Sequence, residues 1–489
     1  MNVLSRFLKM LGLYRKDDVQ KIVKRNFSAA STGRLYSSWT TFNQSADAEL
    51  RYNLTALRAR SRELENNNDY AKKFFRMVKT NIIGRDGIIL QSQVMNDSGK
   101  PDELARKRIE EAWAKWIKKG ICEVSGKYSF RDIQKLVISS VARDGEILVR
   151  IIKGFDNDFR FSLQLIEADH LDEKMNETLP NANGNKVKMG VEYDVWNKPV
   201  AYHIFNLHPG DVFFGSSFGE KIRVPASEML HVFHPMRISQ TRGIPWMHSA
   251  MTRLNMIGAY EEAELVASRI AAAKGGFYEI ENADEYTGDA HDEDQPMQEV
   301  EPGVFETLPQ GWKFKEFDPQ HPTTAFKDFV KSILRGISSG LDVSYNYLAN
   351  DLEGVNYSSI RAGVLDERDV WKDLQKFLIE HFHVPIFEKW LEMALLTQQI
   401  ALPFSKYEKY AIAKWQPRGW PWVDPSKDIQ AKILEINSGL NTGAAIAAEQ
   451  GKDLEEIYKQ LAFEMQLIKK YGLVLPQIQL KPENNKDED

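Results

Sequence analysis

The side chains able to do chemistry are scattered rather than gathered into a catalytic string. Two histidine pairs stand out, His231 and His234 in HVFHP and His381 and His383 in EHFHVP, at spacings where imidazoles can share a metal ion. Such a site also needs carboxylates or further imidazoles from elsewhere, and the first pair lies in a strand-like run where core and surface histidines are commoner than ligands. The HDED run at 291–294 offers oxygen ligands for a weak divalent-cation site, but in an acidic insertion solvation of the carboxylates is the simpler expectation. GSSFG at 215–219 has the GxSxG spacing of a nucleophile elbow. An elbow needs a strand before it and a helix after it, and the β-type EKIRVP that follows reads instead as a glycine-rich turn leading into a strand. No Walker A, GxGxxG or HExxH pattern occurs, so ATP hydrolysis, nicotinamide chemistry and zincin proteolysis lack their minimal parts. The single cysteine, Cys122, can form neither an intrachain disulfide nor a CxxC metal site, which fits a reducing compartment. The expectation is a protein without a cofactor, a metal or an active site; the rival reading is a metal-dependent nuclease or hydrolase built on His231, His234 and carboxylates.

Charge carries more information. The chain has 64 Lys and Arg against 69 Asp and Glu, a net charge of −5, which is not the bulk charge of a protein that grips nucleic acid. The segment 279–306 holds 11 acidic and no basic residues, and setting these aside leaves the rest of the chain at +6. Its Asp284, Glu285, Asp289, Asp292, Glu293, Asp294, Glu299 and Glu301 read either as a solvated acidic insertion or as a docking surface, and Gly288, Pro296, Pro302 and Gly303 mark turns within it. Residues 1–34 carry eight basic residues against Asp17 and Asp18, followed by a Ser/Thr-rich stretch, and read as a mobile basic arm.

The elements that position these groups follow from length and periodicity. At 489 residues, roughly three domains are expected. A hydrophobic fraction of 43% supports real cores, and no apolar run approaches the roughly 18 residues needed to cross a bilayer. The first 18 residues read as a short amphipathic helix rather than a signal peptide. Two helices are predicted over 46–84, ending at Gly84, then a strand over 88–93 and helices over 101–118, with Trp113 and Trp116 on one face, and over 130–142. From Gly145 the period becomes two: EILVRIIK (146–153) and FRFSLQLI (159–166) form a hairpin, and short strands continue to Phe233, making the first half α+β.

After Pro245 long helices take over. Residues 246–273 contain no proline and predict a helix of about 40 Å at 1.5 Å per residue. It carries Glu261, Glu262 and Glu264. A second helix over 323–340 has Phe326, Phe329, Val330, Ile333, Leu334 and Ile337 on one face and a basic ridge, Lys327, Lys331 and Arg335, on the other. No acidic residue stands four positions away along that helix to neutralise the ridge. Residues 342–359, with Tyr345, Asn346, Tyr347, Asn350, Asn356 and Tyr357, read as a loop; a long helical stretch to 396 follows, with a kink or break at Pro385. WQPRGWPWVDP (415–425) is too proline-rich for a helix or central strand. Asp424 and Pro425 then open a set of short helices ending at Gly439, Gly451 and Gly472.

Seven strings recur in order: DAELRYNLTALRARSRELENNNDYAKKFFRMVKTNIIG, RDGEILVR, LIEADHLD, GVEYDVWNKPVAYHI, HVFHPMRISQTRGIPW, NYSSIRAGVLDE and WQPRGWPWVDPSKD. Together, over residues 46–470, they resemble the lambda-type family of tailed-bacteriophage portal proteins. The resemblance implies an α+β portal-protein fold: a flexible arm (1–45), an α/β wing (46–245), a helical stem (246–273 and 323–341), a β-containing acidic clip insertion (274–322), a tunnel loop (342–359), a long helix returning to the wing (360–423), a helical crown (424–472) and a disordered tail (473–489). It further implies a homo-oligomeric ring, a dodecamer by expectation, at one capsid vertex of the virion, assembled in the host bacterial cytoplasm.

Such a ring would pass double-stranded DNA without reading its sequence and would dock the terminase large subunit, then head–tail connector proteins, besides the major capsid and scaffold proteins; no membrane is involved. A conduit must not hold its cargo, because each neutralised phosphate adds affinity that repeats around the ring. Tyr345, Asn346, Tyr347, Asn350 and Asn356 would then touch the DNA backbone, and the clip carboxylates would face partner proteins. The ridge Lys327, Lys331 and Arg335 would face the lumen or, in the preferred reading, pair with Glu261, Glu262 and Glu264 of a neighbouring subunit. The acidic insertion matches none of the family strings, and the N-terminal arm is of a kind that some relatives lose to a protease. A monomeric scaffold is the remaining alternative.

Overall fold

The computed structural model describes residues 34, 37–177, 184–211, 220–272, 276–280, 312–316, 326–354, 357–420 and 425–472. Residues 1–33, 35 and 36 of the expected N-terminal arm, the GSSFG turn, Asn356, Asp424, every acidic residue named for the clip and the C-terminal tail lie outside them. The chain opens with helices α1 (Ala46–Leu50), α2 (Leu54–Asn67) and α3 (Asp69–Val78). Asn68 joins the last two: its Oδ1 accepts the Ala71 N–H while its amide donates to Leu254 O far along the chain. α3 widens into a π turn at Lys79–Ile83 and stops at Gly84, where φ is +74°, a conformation that favours glycine.

Strand β1 (Ile89–Ser92), α4 (Glu103–Trp116) and α5 (Phe130–Asp144) follow. A reciprocal Ser129/Asp132 capping box starts α5. Next come β2 (Glu146–Lys153), β3 (Phe161–Ile166), β4 (Lys186–Lys188), β5 (Val191–Tyr193), β6 (Pro199–Phe205), β7 (Lys221–Pro225) and β8 (Met229–Phe233). The predicted hairpin is present, and β2 is the centre of an antiparallel sheet in the order β3-β2-β8, while β4-β5-β6-β7 form a second sheet.

The two-residue period of β2 serves two cores. Ile147, Val149 and Ile151 join the large helical core, whereas Leu148 packs with Val191, Tyr202, Ile204 and Val224 of the second sheet. Glu146 shares the parity of Leu148, so its carboxylate is directed between the two sheets. The large core centres on an aromatic cluster in which Trp113 meets Trp390 edge-on at 4.8 Å and Phe130 at 5.2 Å, with Trp116 fully buried beside them.

The later half comprises α6 (Met251–Ala272), β9 (Gly276–Ile280), β10 (Trp312–Glu316), α7 (Phe326–Gly340), α8 (Tyr345–Ala349), α9 (Tyr357–Leu378), α10 (Val384–Leu396), α11 (Tyr407–Tyr410), β11 (Ala413–Gln416), α12 (Pro425–Asn437), α13 (Gly443–Glu449) and α14 (Leu454–Tyr471). β9 and β10 pair antiparallel at the ends of the acidic segment. The helix expected from 246 starts at Met251, because 246–250 form turns whose backbone is anchored by Trp246 N–H on Ala142 O.

Two expectations are corrected. Residues 342–359 are not wholly loop, since they contain the five-residue α8, closed by Asn350 in the left-handed region at φ +54°. Pro385 does not break its helix: a π turn at Ile379–His383 precedes it and the helix continues as α10. A π turn shifts the hydrogen-bond ladder by one residue, which accommodates a proline that has no N–H to donate. The proline-rich segment from 415 is neither helix nor central strand, as expected: its first two residues, Trp415 and Gln416, end strand β11, which among the described residues pairs with β1 alone. Among the described residues no helix is long and apolar enough to cross a membrane.

Candidate functional site

α6 and α7 run antiparallel in tight register. Ser249 Oγ donates to Gly340 O at 2.9 Å, Arg253 to Gly336 O at 3.1 Å, and the Tyr260 ring meets Phe329 at 5.1 Å. The apolar face predicted for α7 carries this packing, with Leu334 and Ile337 buried. The opposite face carries the basic ridge, and its partners lie in the same chain. Lys331 Nζ is 3.0 Å from Asp351 Oδ2 and Lys327 Nζ is 2.6 Å from Glu353 Oε2. Arg335 lies 5.6 Å above the Tyr345 ring, a cation–π arrangement. The ridge is therefore not left uncompensated, as the helix alone suggested. Its counter-charges come from the segment after α8.

That segment is held by Asp351. Its Oδ2 accepts the Tyr345 hydroxyl at 2.6 Å and its Oδ1 the Glu353 N–H at 2.9 Å. These two bonds, with Lys331, keep the Asp351 carboxyl well below the usual carboxylate range. Burial and the bond to Asp351 push the Tyr345 hydroxyl up to about 12, so it stays a donor across ordinary pH. Both ion pairs of the ridge are solvent-accessible and contribute little stability individually; their effect is to neutralise the ridge locally.

On its other side the loop leans on α3 and α9. Leu348 is buried, Asn350 Oδ1 accepts Lys73 Nζ at 2.7 Å, and the Ser344 N–H donates to Glu367, which also accepts Trp371 Nε1–H at 3.0 Å. Tyr347 is exposed at the mouth of a cavity of about 350 Å³ beneath the loop. Asn346 is half-buried and Asn350 exposed. Of the residues expected to line a channel, the structure thus brings Tyr345, Asn346, Tyr347 and Asn350 together with the ridge.

The glutamates proposed as ridge partners have other contacts within the chain. Glu261 accepts the Tyr70 hydroxyl at 2.9 Å, Glu264 is buried and bonded to Tyr260, and Glu262 is exposed. The histidines do not converge either. His231 Nε2 is 2.8 Å from Glu146 Oε2, His234 packs edge-on against Phe377, His381 contacts Phe377 O, and His383 is buried with Nδ1 3.2 Å from Leu378 O. A different set, Glu167, Asp169 and His208, has ligand atoms within 4.8 Å of one another and could hold a cation. Asp169 is already shared with the Arg62 and Arg58 guanidiniums, which disfavours a metal there.

What sequence reasoning missed is an ionic cluster at the junction of the two sheets and α2. Glu146 Oε1 accepts from Arg58 and from Arg242 (Nε at 2.7 Å), and Oε2 accepts the Gly243 N–H at 2.8 Å beside His231. The side chains of Arg58, Glu146 and Arg242 are 2%, 0% and 0% exposed. Burial raises the Glu146 carboxyl, but Arg242, Arg58 and His231 outweigh it and hold the group well below the ordinary range. Arg62 and Arg143 extend the network onto Asp144 at 2.7 Å each. The glycines flanking it touch: a Cβ on Gly243 would lie 2.0 Å from Gly145 O.

Comparison with known proteins now bears on this arrangement. The sequence model described as phage portal protein, lambda family, matches residues 32–375. The chain belongs to the lambda family of phage portal proteins. Among portal relatives it is 38% identical over 460 residues to the probable portal protein of Halomonas phage phiHAP-1, covering 92% of this chain and 88% of that one. It is 23% identical over 483 residues to portal protein B of Escherichia phage lambda, covering 90% and 89%. A solved structure described as the neck of an empty GTA particle computed with C6 symmetry aligns with a TM-score of 0.42 at 13% identity, covering 86% of this chain and 99% of that one.

In this portal-family chain the strings that carried the resemblance meet in space. The first supplies Arg58 and Arg62, the second Arg143, Asp144 and Glu146, the third Asp169, and the fifth His231, Arg242 and Gly243. Glu367 and Arg418, from the last two strings, line the cavity under the loop.

Proposed function

We propose that this chain forms a ring at one capsid vertex of a phage particle, as a channel for double-stranded DNA during packaging and ejection. In this reading α6 and α7 are stem helices, the segment around α8 is the tunnel loop, and the ring docks the terminase motor and later head–tail connector proteins. The acidic clip residues face those partners. The reading rests on membership of the portal family across most of the chain. Its physical support is local: Lys327 and Lys331 of the basic ridge are matched by Glu353 and Asp351, so a duplex passing the ridge face meets less uncompensated positive charge there. The chain does no chemistry on DNA in this reading, and ATP is hydrolysed by the motor.

The test is electron microscopy of the purified protein, followed by deletion of residues 345–350 in the phage. Annuli with a bore wide enough for a duplex, and a deletion that leaves annuli intact but impairs packaging or retention of DNA, are expected. Particles of a single 56.2 kDa chain would refute the ring, and full-genome packaging by the deletion would refute the role of the loop.

A further inference from the structure

The cavity beneath the loop is electrically one-sided. Four cations line it, Lys73, Arg76, Arg368 and Arg418, against one carboxylate, Glu367. Glu367 is committed to the Ser344 and Trp371 N–H groups. The acceptors that meet Lys73 and Arg418 are neutral: Asn350 Oδ1 for the first, Thr80 O at 2.5 Å and Asn81 Oδ1 at 2.9 Å for the second. Among the described residues, Lys73, Arg76 and Arg418 form no ion pair, unlike the ridge on the other side of the loop, where Lys327 and Lys331 each have a carboxylate. Arg368 and Arg418 both lie over the Trp420 ring, with Cζ 5.9 and 5.6 Å from its centroid, within cation–π range.

Holding cations together in this way is unfavourable without an anion. Burial, then the nearby Arg76, draws Lys73 below its ordinary range, and burial, then Arg368, does the same to Arg418. We propose that the cavity is a binding site for a phosphoryl group. A single carboxylate would match the charge poorly, whereas a phosphate presents several acceptor oxygens and up to two negative charges to converging forks and an ammonium. A volume of about 350 Å³ admits such a group with room for the moiety that bears it. Two sources share this chemistry, free phosphate and the phosphate of a DNA strand. For DNA the inference rests on the channel reading; for free phosphate it does not.

The experiment uses the purified full-length protein in whatever assembly it adopts. Labelled inorganic phosphate is equilibrated by dialysis, and duplex oligonucleotides with and without a 5′-phosphate are titrated by fluorescence anisotropy. Wild type is compared with Arg76→Gln, at an exposed side chain, and with Lys73→Gln. Each variant is expected to weaken phosphate binding by about ten-fold or more, with an unchanged thermal midpoint. Tighter binding of the 5′-phosphorylated duplex, lost in both variants, identifies DNA as the source; duplexes bound alike by all three proteins identify free phosphate. Phosphate binding that is absent in wild type, or equal in all three proteins, overturns the site. So does failure of the variants to assemble without any phosphate bound by wild type, which would give the cations to a neighbouring subunit's carboxylates. Annuli that bind no phosphate refute this site alone, and single chains that bind it refute the ring alone.

Discussion

Glu146→Gln tests whether the buried cluster is held by charge. In the native chain four donors address the two oxygens of Glu146: Arg58 and Arg242 on Oε1, His231 and the Gly243 N–H on Oε2. A glutamine offers one acceptor oxygen, so in either orientation its amide meets donors. It also leaves two guanidiniums, 2% and 0% exposed, without their shared counter-charge. Removing one member of such a buried set costs about 3–5 kcal/mol. At roughly 2–4 °C per kcal/mol for a unit of 150–250 residues, the thermal midpoint falls by on the order of 10 °C.

Scanning calorimetry, with fluorescence of the Trp113–Trp116–Trp390 cluster as a second probe, reads this directly. The triple variant Arg58→Met, Glu146→Leu, Arg242→Met removes the charges together and should recover part of the loss. A midpoint within about 1 °C of wild type for the single variant, or a triple variant no more stable than the single one, would refute the reasoning. The pH dependence has a definite sign. The Glu146 pKa is depressed in the folded state, so its contribution is fully present above the unfolded value of about 4.3 and is lost as pH falls toward the folded one. Between pH 5 and 8 it adds no slope.

Two further outcomes follow from buried positions. His383 is fully buried and its pKa is lowered to about 4; below the unfolded value of about 6.5 the unfolded chain binds the proton more readily, so stability declines from there down to about 4, and NMR titration should find this imidazole neutral at pH 5. An imidazole that titrates near 6.5 would place it in solvent. Gly243→Ala would put a Cβ 2.0 Å from Gly145 O and 2.9 Å from the Glu146 Cβ; with backbone unable to yield, a loss above about 3 kcal/mol should show as insoluble or protease-sensitive protein, and a wild-type midpoint would contradict the close approach.

Periodicity made the helices and the β2–β3 hairpin legible. EILVRIIK alternates and yet is apolar on both faces, because one face meets helices and the other a second sheet. The ionic cluster was not legible, since its members are far apart in sequence: Arg58 and Glu146 are 88 positions apart and Arg242 and Glu146 are 96. Charge pairing over such separations leaves no local pattern. One signal was available: a glutamate at the head of an apolar strand, on the parity of Leu148, directly after a glycine. The ridge was legible as a ridge, but its partners within the chain were not, because Asp351 and Glu353 come from the segment after α8 rather than from the same helix. The π turn before Pro385 has no sequence signature separable from a kink.

The two treatments of positive charge around α8 form one physical arrangement. On the α7 side, Lys327 and Lys331 are each met by a carboxylate and Arg335 by an aromatic ring, so the ridge exerts far less long-range attraction on an anion than three bare cations would. On the α3 side, Lys73 and Arg418 lie at a cavity against neutral acceptors, so that a group able to enter it gains their full interaction. Tyr345 and Asn350 link the two sides, one bonded to the acid that quenches the ridge and the other to the lysine of the cavity. The short helix therefore ties the two sides together, because the acid that Tyr345 bonds is the one that Lys331 pairs with, while Asn350 accepts from Lys73.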